Sequence, residues 1–438
     1  MSALARYFLS KGWQVHGYDK TPTSLTASLQ EEGMRIHFEE DLSKIPADID
    51  LIIFTPAIPE NHAEYQFLLK NGRTLHKRAE VLGMIAAGYN TIAIAGTHGK
   101  TTTSTMTAHL MKQSAKGCQA FLGGISKNYE SNLLLTENSE YLVAEADEYD
   151  RSFLQLSPNT AVITSMDADH LDIYGSHEAL LYSFTEFVGK IRKGGNLVLK
   201  LGLELPLPQD SGIREYTYSL DQRSDFYTEN LSLKDGLYHF DFVHPNGKIN
   251  EMVLGIPGLY NVENAVAALA CSWLCGVSEN ELKNALACFS GVRRRFDIRF
   301  RSEKAVYIDD YAHHPAELTA SINSARKLFQ GKTITGIFQP HLYSRTRDFA
   351  SEFSTSLDLL DYVILLPIYP ARELPIEGVS SQLLLDNISK PSILAGMADF
   401  PSILDEIPFE VLMTLGAGDI DTMAAPIEDY LSKREVKK

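Results

Sequence analysis

Ile94-Ala95-Gly96-Thr97-His98-Gly99-Lys100-Thr101-Thr102-Thr103 is the stretch on which the reading of this chain turns. The apolar run ending at Ala95 has the character of a buried strand. Two glycines then break it, and Lys-Thr opens a segment with helical character up to Ala115. Backbone N–H groups at such a helix start, aided by the helix dipole, form a cradle for phosphate oxygens. Lys100 would reach the terminal phosphates, and the Thr101 hydroxyl would bind Mg²⁺. The spacing departs from G-x-x-x-x-G-K-[ST], because Ile94 stands at the first glycine position and the loop is a tighter G-x-x-G-K-T. A strand–helix turn with a surface lysine is the bland alternative. The flanking strand and helix favour nucleotide binding by Gly96, Thr97, His98, Gly99, Lys100, Thr101 and Thr102.

The rest of the chain is ordinary in composition. It has 438 residues, 44% hydrophobic and 22% charged, and at ~100–200 residues per domain it should hold two to four domains. No apolar run approaches the ~20 residues of a membrane helix. The first residues, MSALARYFLSKGWQVHGYD, do not read as a signal peptide. Cys118, Cys271, Cys275 and Cys288 form no CxxC pair, and buried free thiols in a reducing cytoplasm are expected. A net charge of −16 argues against nucleic acid or anionic membrane as partners. Any phosphate must therefore be bound by a local device.

Punctuation by glycine and proline divides the chain into three blocks, 1–88, 89–292 and 293–438. The first alternates helix and strand: SALARYFLSKG, WQVHGYD, IDLIIFTPAI, AEYQFLLKNG. The second runs from the glycine loop through the strands EYLVAEADE, TAVITSMD and GNLVLKL, with HEALLYSFTEFVGKI as a helix. Short strands around KDG and PNG follow, before the helix PGLYNVENAVAALACSWLCG. The third alternates AVYIDDY, TITGIFQP, DYVILLPIY and EVLMTLGAG with helices. This alternation predicts an α/β fold with doubly wound parallel sheets in every block.

Several polar clusters end these strands. Glu145-Ala-Asp147-Glu148-Tyr-Asp150 follows YLVA and could hold a metal near phosphates; without the glycine loop it would read as a solvated acidic loop. Asp167-Ala-Asp169-His170-Leu-Asp172 offers a second metal position, although a lone histidine is more often structural. Asn261 and Asn264 share one face of a helix start, which alone reads as a cap. Arg293-Arg294-Arg295 is a basic run that could equally be a solvated hinge. Asp309-Asp310-Tyr311-Ala-His313-His314-Pro315 could be a metal site or a turn into a helix, and Gln339-Pro-His341-Leu-Tyr343-Ser-Arg345 ends another strand.

In this order GTHGKTTT, EADEYD, the D-H-x-D run, Asn-x-x-Asn, GVRRRFD, DDYAHHPAE, QPHLYSRTRDF and LGAGD resemble the Mur ligases, which build the peptide stem of peptidoglycan precursors. EADE, DDYAHHP and QPH…SRTRD resemble most the branch that adds L-alanine. The resemblance covers nearly the whole chain. It implies a three-domain cytoplasmic enzyme: a UDP-sugar domain, a P-loop ATPase domain and a dinucleotide-fold domain. The reaction implied is ATP-dependent joining of L-alanine to UDP-N-acetylmuramate through an acyl phosphate. Addition of a recycled tripeptide to the same UDP-sugar, a simple ATPase switch, and a non-catalytic nucleotide-binding remnant are the alternatives.

Carried over by position, the resemblance puts Lys100 and Thr101 on phosphates and Mg²⁺, Glu145 on Mg²⁺ and His170 on a second Mg²⁺. Asn264 would meet adenine, and Arg295 and Asp310 the nucleotide. Tyr311, His313, His341 and Arg345 would surround the amino acid and the transferring phosphate. Asp19, Thr55, Ala57, Ile58, Arg78 and Glu80 match the UDP-sugar site. Four departures stand out. Tyr260 replaces the usual His, and Leu342 an Arg. No lysine follows His170 before Lys190, so the carbamylated lysine of related ligases is missing. The family's first strand and its glycine loop are absent too. The expectation is an N-terminal sheet split by an empty slot, weak binding of the UDP-sugar, and a natural chain some 20 residues longer, roughly one strand and its turn.

Overall fold

The computed structural model describes residues 1–55, 58–169, 171–371 and 373–436. The chain divides into two compact units. The first comprises Met1–Glu229, Asp241–Asn250 and Asn264–Leu286, and the second Asn230–Phe240, Glu251–Glu263 and Ala287–Lys438.

The first unit begins with the helix Ser2–Ser10 and four strands of three residues each: β1 (His16–Tyr18), β2 (Arg35–His37), β3 (Ile52–Phe54) and β4 (Leu75–Lys77). β1 pairs in parallel with β2, and β3 with β4, as two separate sheets. The helix Ser24–Glu31 and strands β2 and β4 escaped the sequence pattern. Three residues are too few to display an alternation of period two.

Its main sheet has seven strands: β5 (Asn90–Ala95), β6 (Gln119–Ser126), β7 (Ser131–Leu134), β8 (Tyr141–Glu145), β9 (Thr160–Ile163), β10 (Asn196–Lys200) and β11 (Arg214–Tyr218), in the order β11-β10-β9-β5-β8-β6-β7. β5 is central, apolar and buried beyond Asn90, as a strand covered on both faces must be. The expectation of purely parallel sheets is corrected at the edge, because β7 runs antiparallel to β6. Only four residues separate these two strands, too few for the crossover that parallel pairing needs. One hydrophobic cluster joins Leu4, Val81, Leu82 and Ala86 of the first block to Ala93, Ala144, Ile163 and Phe184. Phe153 stacks on Phe187 within it, 4.9 Å between ring centroids.

β12 (Tyr227–Lys234), β13 (Leu237–His244) and β14 (Gly247–Val253) form a three-stranded sheet whose turns fall at the expected KDG and PNG. In the second unit β15 (Asp297–Arg301), β16 (Val306–Asp310), β17 (Ile334–Phe338), β18 (Tyr362–Leu365), β19 (Ser392–Leu394) and β20 (Val411–Leu415) are ordered β15-β16-β20-β17-β18-β19. All pairs are parallel except β15–β16, which a short turn connects. Alternate residues feed two cores. Ile308, Phe338 and Met413 pack with Leu318 and Phe353, whereas Tyr307, Ile337 and Leu412 pack with Ile427.

Candidate nucleotide and amino-acid sites

The glycine loop joins β5 to the helix Lys100–Lys112, with Gly99 as its N-cap in the left-handed conformation (φ +82°). A Cβ on Gly99 would stand 2.7 Å from Asn264 Oδ1, and one on Gly96 (φ +130°) would strike the Thr164 hydroxyl and the Ser165 backbone. Both positions therefore need glycine. The segment after β9 braces the loop. Thr97 Oγ1 and Ser165 Oγ are 2.8 Å apart, and the His98 N–H donates to Ser165 Oγ at 2.8 Å. The Asp167 N–H donates to Thr97 Oγ1 at 3.1 Å. His98 Nε2 lies 3.5 Å from Asp167. Asn264 accepts from the Thr103 hydroxyl at 3.2 Å, which fastens it to the loop helix.

The acidic cluster meets the loop because β5 and β8 run in parallel with Ile94 opposite Glu145. Lys100 does not point into open space. Its Nζ lies 2.8 Å from both carboxylate oxygens of Glu148 and donates to the Thr97 carbonyl at 3.4 Å. Glu148 has no solvent exposure. Burial pushes its carboxyl up to about 7, against the pull of Lys100. Burial also opposes charge on Lys100, but Glu148, Asp147 and Glu145 outweigh it and hold the ammonium above its ordinary range.

Thr101 is buried in the first turn of the helix. The Glu145 carboxylate rests over Gly123, one oxygen 2.6 Å from the place a Cβ would occupy. A hydroxyl and a carboxylate are hard oxygen donors. They fit Mg²⁺, which keeps several waters and takes further oxygens from phosphates. No group of three or more His, Cys, Asp or Glu among the described residues could hold a metal without such help. His170 lies outside the described residues.

In the second unit, β16 ends at Asp310 and leads into the helix Pro315–Leu328. His314 is that helix's N-cap and Pro315 its first residue, which settles the double histidine as a helix entry. Asp310 is buried, accepting from the Ser321 hydroxyl at 2.6 Å and the Ala312 N–H at 3.1 Å. Burial pushes its carboxyl up to about 6, with Ser321 and Arg295 pulling the other way. The guanidinium groups of Arg294 and Arg295 lie 5.0 and 4.8 Å from the centre of the Tyr311 ring. Tyr311, His313, His341 and Tyr369 form a row of rings, with successive centroids 5.3, 5.8 and 5.8 Å apart. Arg345 is buried on the short helix Tyr343–Asp348.

The structure thus brings together Tyr311, His313 and His341, and sets Arg295 against Tyr311. Tyr369, which sequence reasoning missed, completes the row. Gln339 is anchored by Asp419 at 2.6 Å and by the Ile420 N–H at 2.9 Å, a contact signalled only by the LGAGD motif.

The first-block candidates are more scattered. Asp19 Oδ1 accepts from the Thr21 N–H at 3.0 Å, and the Thr55 carbonyl from Ile58 at 3.0 Å. Glu80 caps its helix by accepting from the Lys77 N–H at 2.9 Å. Arg78 borders a small cavity also lined by Leu82, Glu145, Asp147 and Phe153. Ala57 lies outside the described residues.

Family models match in the same order as these sites: "Mur ligase family, catalytic domain" over residues 1–90, "Mur ligase middle domain" over 94–272, and "Mur ligase, glutamate ligase domain" over 294–420. The chain belongs to the Mur ligase family. It is 50% identical over 440 residues to a UDP-N-acetylmuramate–L-alanine ligase of Parabacteroides distasonis, covering 99% of this chain and 95% of that protein. It is 45% identical to the protein of the same name from Cytophaga hutchinsonii, covering 99% and 95%. The solved UDP-N-acetylmuramate–alanine ligase of Thermotoga maritima superposes with a TM-score of 0.83 at 27% identity, covering 99% of this chain and 97% of that one. The murein peptide ligase of Psychrobacter arcticus shares the fold, with a TM-score of 0.67 at 20% identity, covering 98% and 95%. This Mur ligase is thus an α/β protein of three-domain Mur architecture. Tyr260, at the position of the usual histidine, is half-buried against the core of the second unit, and desolvation together with the Asp310 charge keeps its phenol protonated.

Asp310 links this site to stability. A carboxyl raised to about 6 favours the folded state when protonated, so stability falls as pH rises from about 4 through 6. At ~1.4 kcal/mol per pH unit, the folded state above pH 6 bears about 3 kcal/mol for keeping this charge. Asp310→Asn should therefore raise the unfolding midpoint at pH 8, with the gain vanishing near pH 4, in denaturant titrations across that range. A loss of stability at both pH values would show that the charge is satisfied in place.

Proposed function

We propose that this Mur ligase joins L-alanine to UDP-N-acetylmuramate, converting ATP to ADP and phosphate, in the synthesis of peptidoglycan precursors. The observation that carries the reading is the identity of about 50%, over nearly the full length, to relatives named for that reaction. The UDP-sugar domain is placed at 1–88, the ATPase domain at 89–292 and the amino-acid domain at 293–438, with the enzyme in the cytoplasm. No helix among the described residues is long and apolar enough to cross a membrane.

A carboxylate is a poor electrophile, and phosphorylation gives it a leaving group. The sugar's lactyl carboxylate attacks the γ-phosphate, and the alanine amine then attacks the acyl phosphate through a tetrahedral intermediate. Positioning and charge neutralisation supply most of the catalysis. The N–H groups at the start of the loop helix, from Gly99 to Thr101, bind phosphate oxygens, and Lys100 exchanges Glu148 for the terminal phosphates. Thr101, Glu145 and His170 would hold Mg²⁺, which when bound neutralises charge on the transferring phosphoryl group. Asn264, Arg295 and Asp310 serve the nucleotide. Asp19, Thr55, Ala57, Ile58, Arg78 and Glu80 serve the UDP-sugar, although Glu80 also caps its helix. Tyr311, His313, His341 and Arg345 serve the amino acid and the acyl transfer.

Measuring ATP turnover with each substrate omitted tests the reaction: phosphate release should need both UDP-N-acetylmuramate and L-alanine. Turnover with a tripeptide but not L-alanine would reassign the amine. Lys100→Ala should lower turnover ~10²–10³-fold or more, the loss expected when one preorganised charge stabiliser is removed. Near-normal turnover would remove the loop from the mechanism.

In Mg²⁺ titrations Glu145→Gln should raise the metal requirement more than His170→Ala does, because Mg²⁺ prefers oxygen. An unchanged requirement in Glu145→Gln would dismiss that ligand. Arg345→Ala should depress kcat far more than it weakens ATP binding, since a guanidinium fork suits a multi-oxygen anion. Equal losses would make Arg345 a nucleotide ligand.

A further inference from the structure

His313 is held in one orientation by neighbours that can only accept. Its Nδ1 lies 3.0 Å from the Tyr311 carbonyl oxygen and 3.2 Å from Glu317 Oε2. Neither a carbonyl nor a carboxylate donates a proton, so Nδ1 carries the hydrogen and the lone pair of the neutral ring sits on Nε2. Nε2 makes no hydrogen bond to any described residue, and the side chain keeps 18% of its surface exposed. The rings of Tyr311 and His341 meet the imidazole edge-on at 5.3 and 5.8 Å and fix its plane. Glu317 does more than face the ring: the same Oε2 accepts from the backbone N–H groups of His313 at 3.0 Å and His314 at 3.3 Å. One carboxylate thus sets both the backbone and the tautomer.

We propose that Glu317 is a positioning residue that holds His313 with Nε2 ready to take the proton of the incoming amino-acid ammonium. The inference rests on the ligase reading above. L-alanine arrives as an ammonium ion and cannot attack until it is neutral. One proton passes to Nε2, and the freed nitrogen lone pair forms the C–N bond. The C–O bond to phosphate breaks with its electron pair going to the phosphate, and the second N–H proton leaves with that phosphate as HPO₄²⁻. Glu317 beside Nδ1–H keeps that hydrogen in place while Nε2 takes the proton, and His313 then releases its proton to solvent.

The test compares two nucleophiles on the full chain supplied with ATP, Mg²⁺ and UDP-N-acetylmuramate. L-alanine needs deprotonation; hydroxylamine is largely neutral at pH 7 and traps the acyl phosphate as a hydroxamate. E317Q keeps an oxygen to cap the helix, since glutamine serves in the same capping position, but loses the charge. Its kcat with L-alanine should fall about 10²-fold, the lower end of what general acid–base catalysis supplies. Its hydroxamate formation and its KM for ATP should stay within a few-fold of the unmodified chain. H313Q should lose turnover with L-alanine at least as far as E317Q does. Equal losses with both nucleophiles in E317Q would mean that Glu317 only holds the helix, and the proposal falls. An unimpaired L-alanine rate in either variant overturns it too. Absence of any hydroxamate from the unmodified chain would overturn the ligase reading itself.

Discussion

A buried ammonium at the start of a helix faces two penalties, and their relief organises the first unit. The Lys100 side chain keeps only 13% of its surface in water, and it stands at the end of the helix where the backbone dipole is already positive. Glu148 removes both penalties at 2.8 Å, but only because β8 lies beside β5, parallel and in a register that puts Glu145 opposite Ile94. Removing one partner from a buried pair costs ~3–5 kcal/mol, so Lys100 can leave Glu148 only for another anion. The resting partner of the loop lysine therefore selects what displaces it: a group with enough negative charge to replace a carboxylate.

The glycine loop was legible because each element of its chemistry is local. Strand, glycines and Lys-Thr are contiguous, and the positive φ values at Gly96 and Gly99 are what the motif requires. The acidic cluster was legible only as a cluster. Glu145, Asp147, Glu148 and Asp150 crowd six residues, and spacing cannot say which carboxylate turns inward. The backbone decides this beyond the end of β8, where Asp150 and Arg151 take left-handed conformations and Asp150 turns to Lys77 at 2.9 Å. Tyr369 gave no signal at all, because it joins His341 across 28 residues through an isolated strand bridge. Glu317 was visible within DDYAHHPAE, but its contact with the His313 ring depends on how the chain enters the helix.

The first block shows how packing outweighs local pairing. A two-stranded sheet alone is marginal in water, yet β1–β2 and β3–β4 stand as separate pairs. Neighbouring helices secure them. Leu4 on the first helix, with Val81, Leu82 and Ala86 on the helix Arg78–Ala86, is buried in the same core as β5 and β8. The pairs also carry their own polar anchor: His37 Nε2 meets Glu64 at 2.9 Å, and the Asp41 N–H donates to the same carboxylate oxygen at 3.0 Å.

Leu342 shows which part of a motif the fold demands. It stands where the resemblance leads one to expect arginine, and it is a non-glycine residue at φ +70°. Such a conformation is held only when its surroundings over-determine it, and here three constraints do so. The Leu342 N–H donates to the Tyr369 carbonyl at 3.0 Å, and the Tyr369 N–H donates to the Pro340 carbonyl at 2.8 Å. Glu373 accepts from the Ser344 N–H at 3.0 Å, at the first turn of the following helix. All three act on backbone or on neighbours, and none on the side chain at position 342. The turn that buries Arg345 and stacks His341 on Tyr369 is therefore held by its backbone, and the leucine at 342 turns an apolar side chain into the buried space beside it.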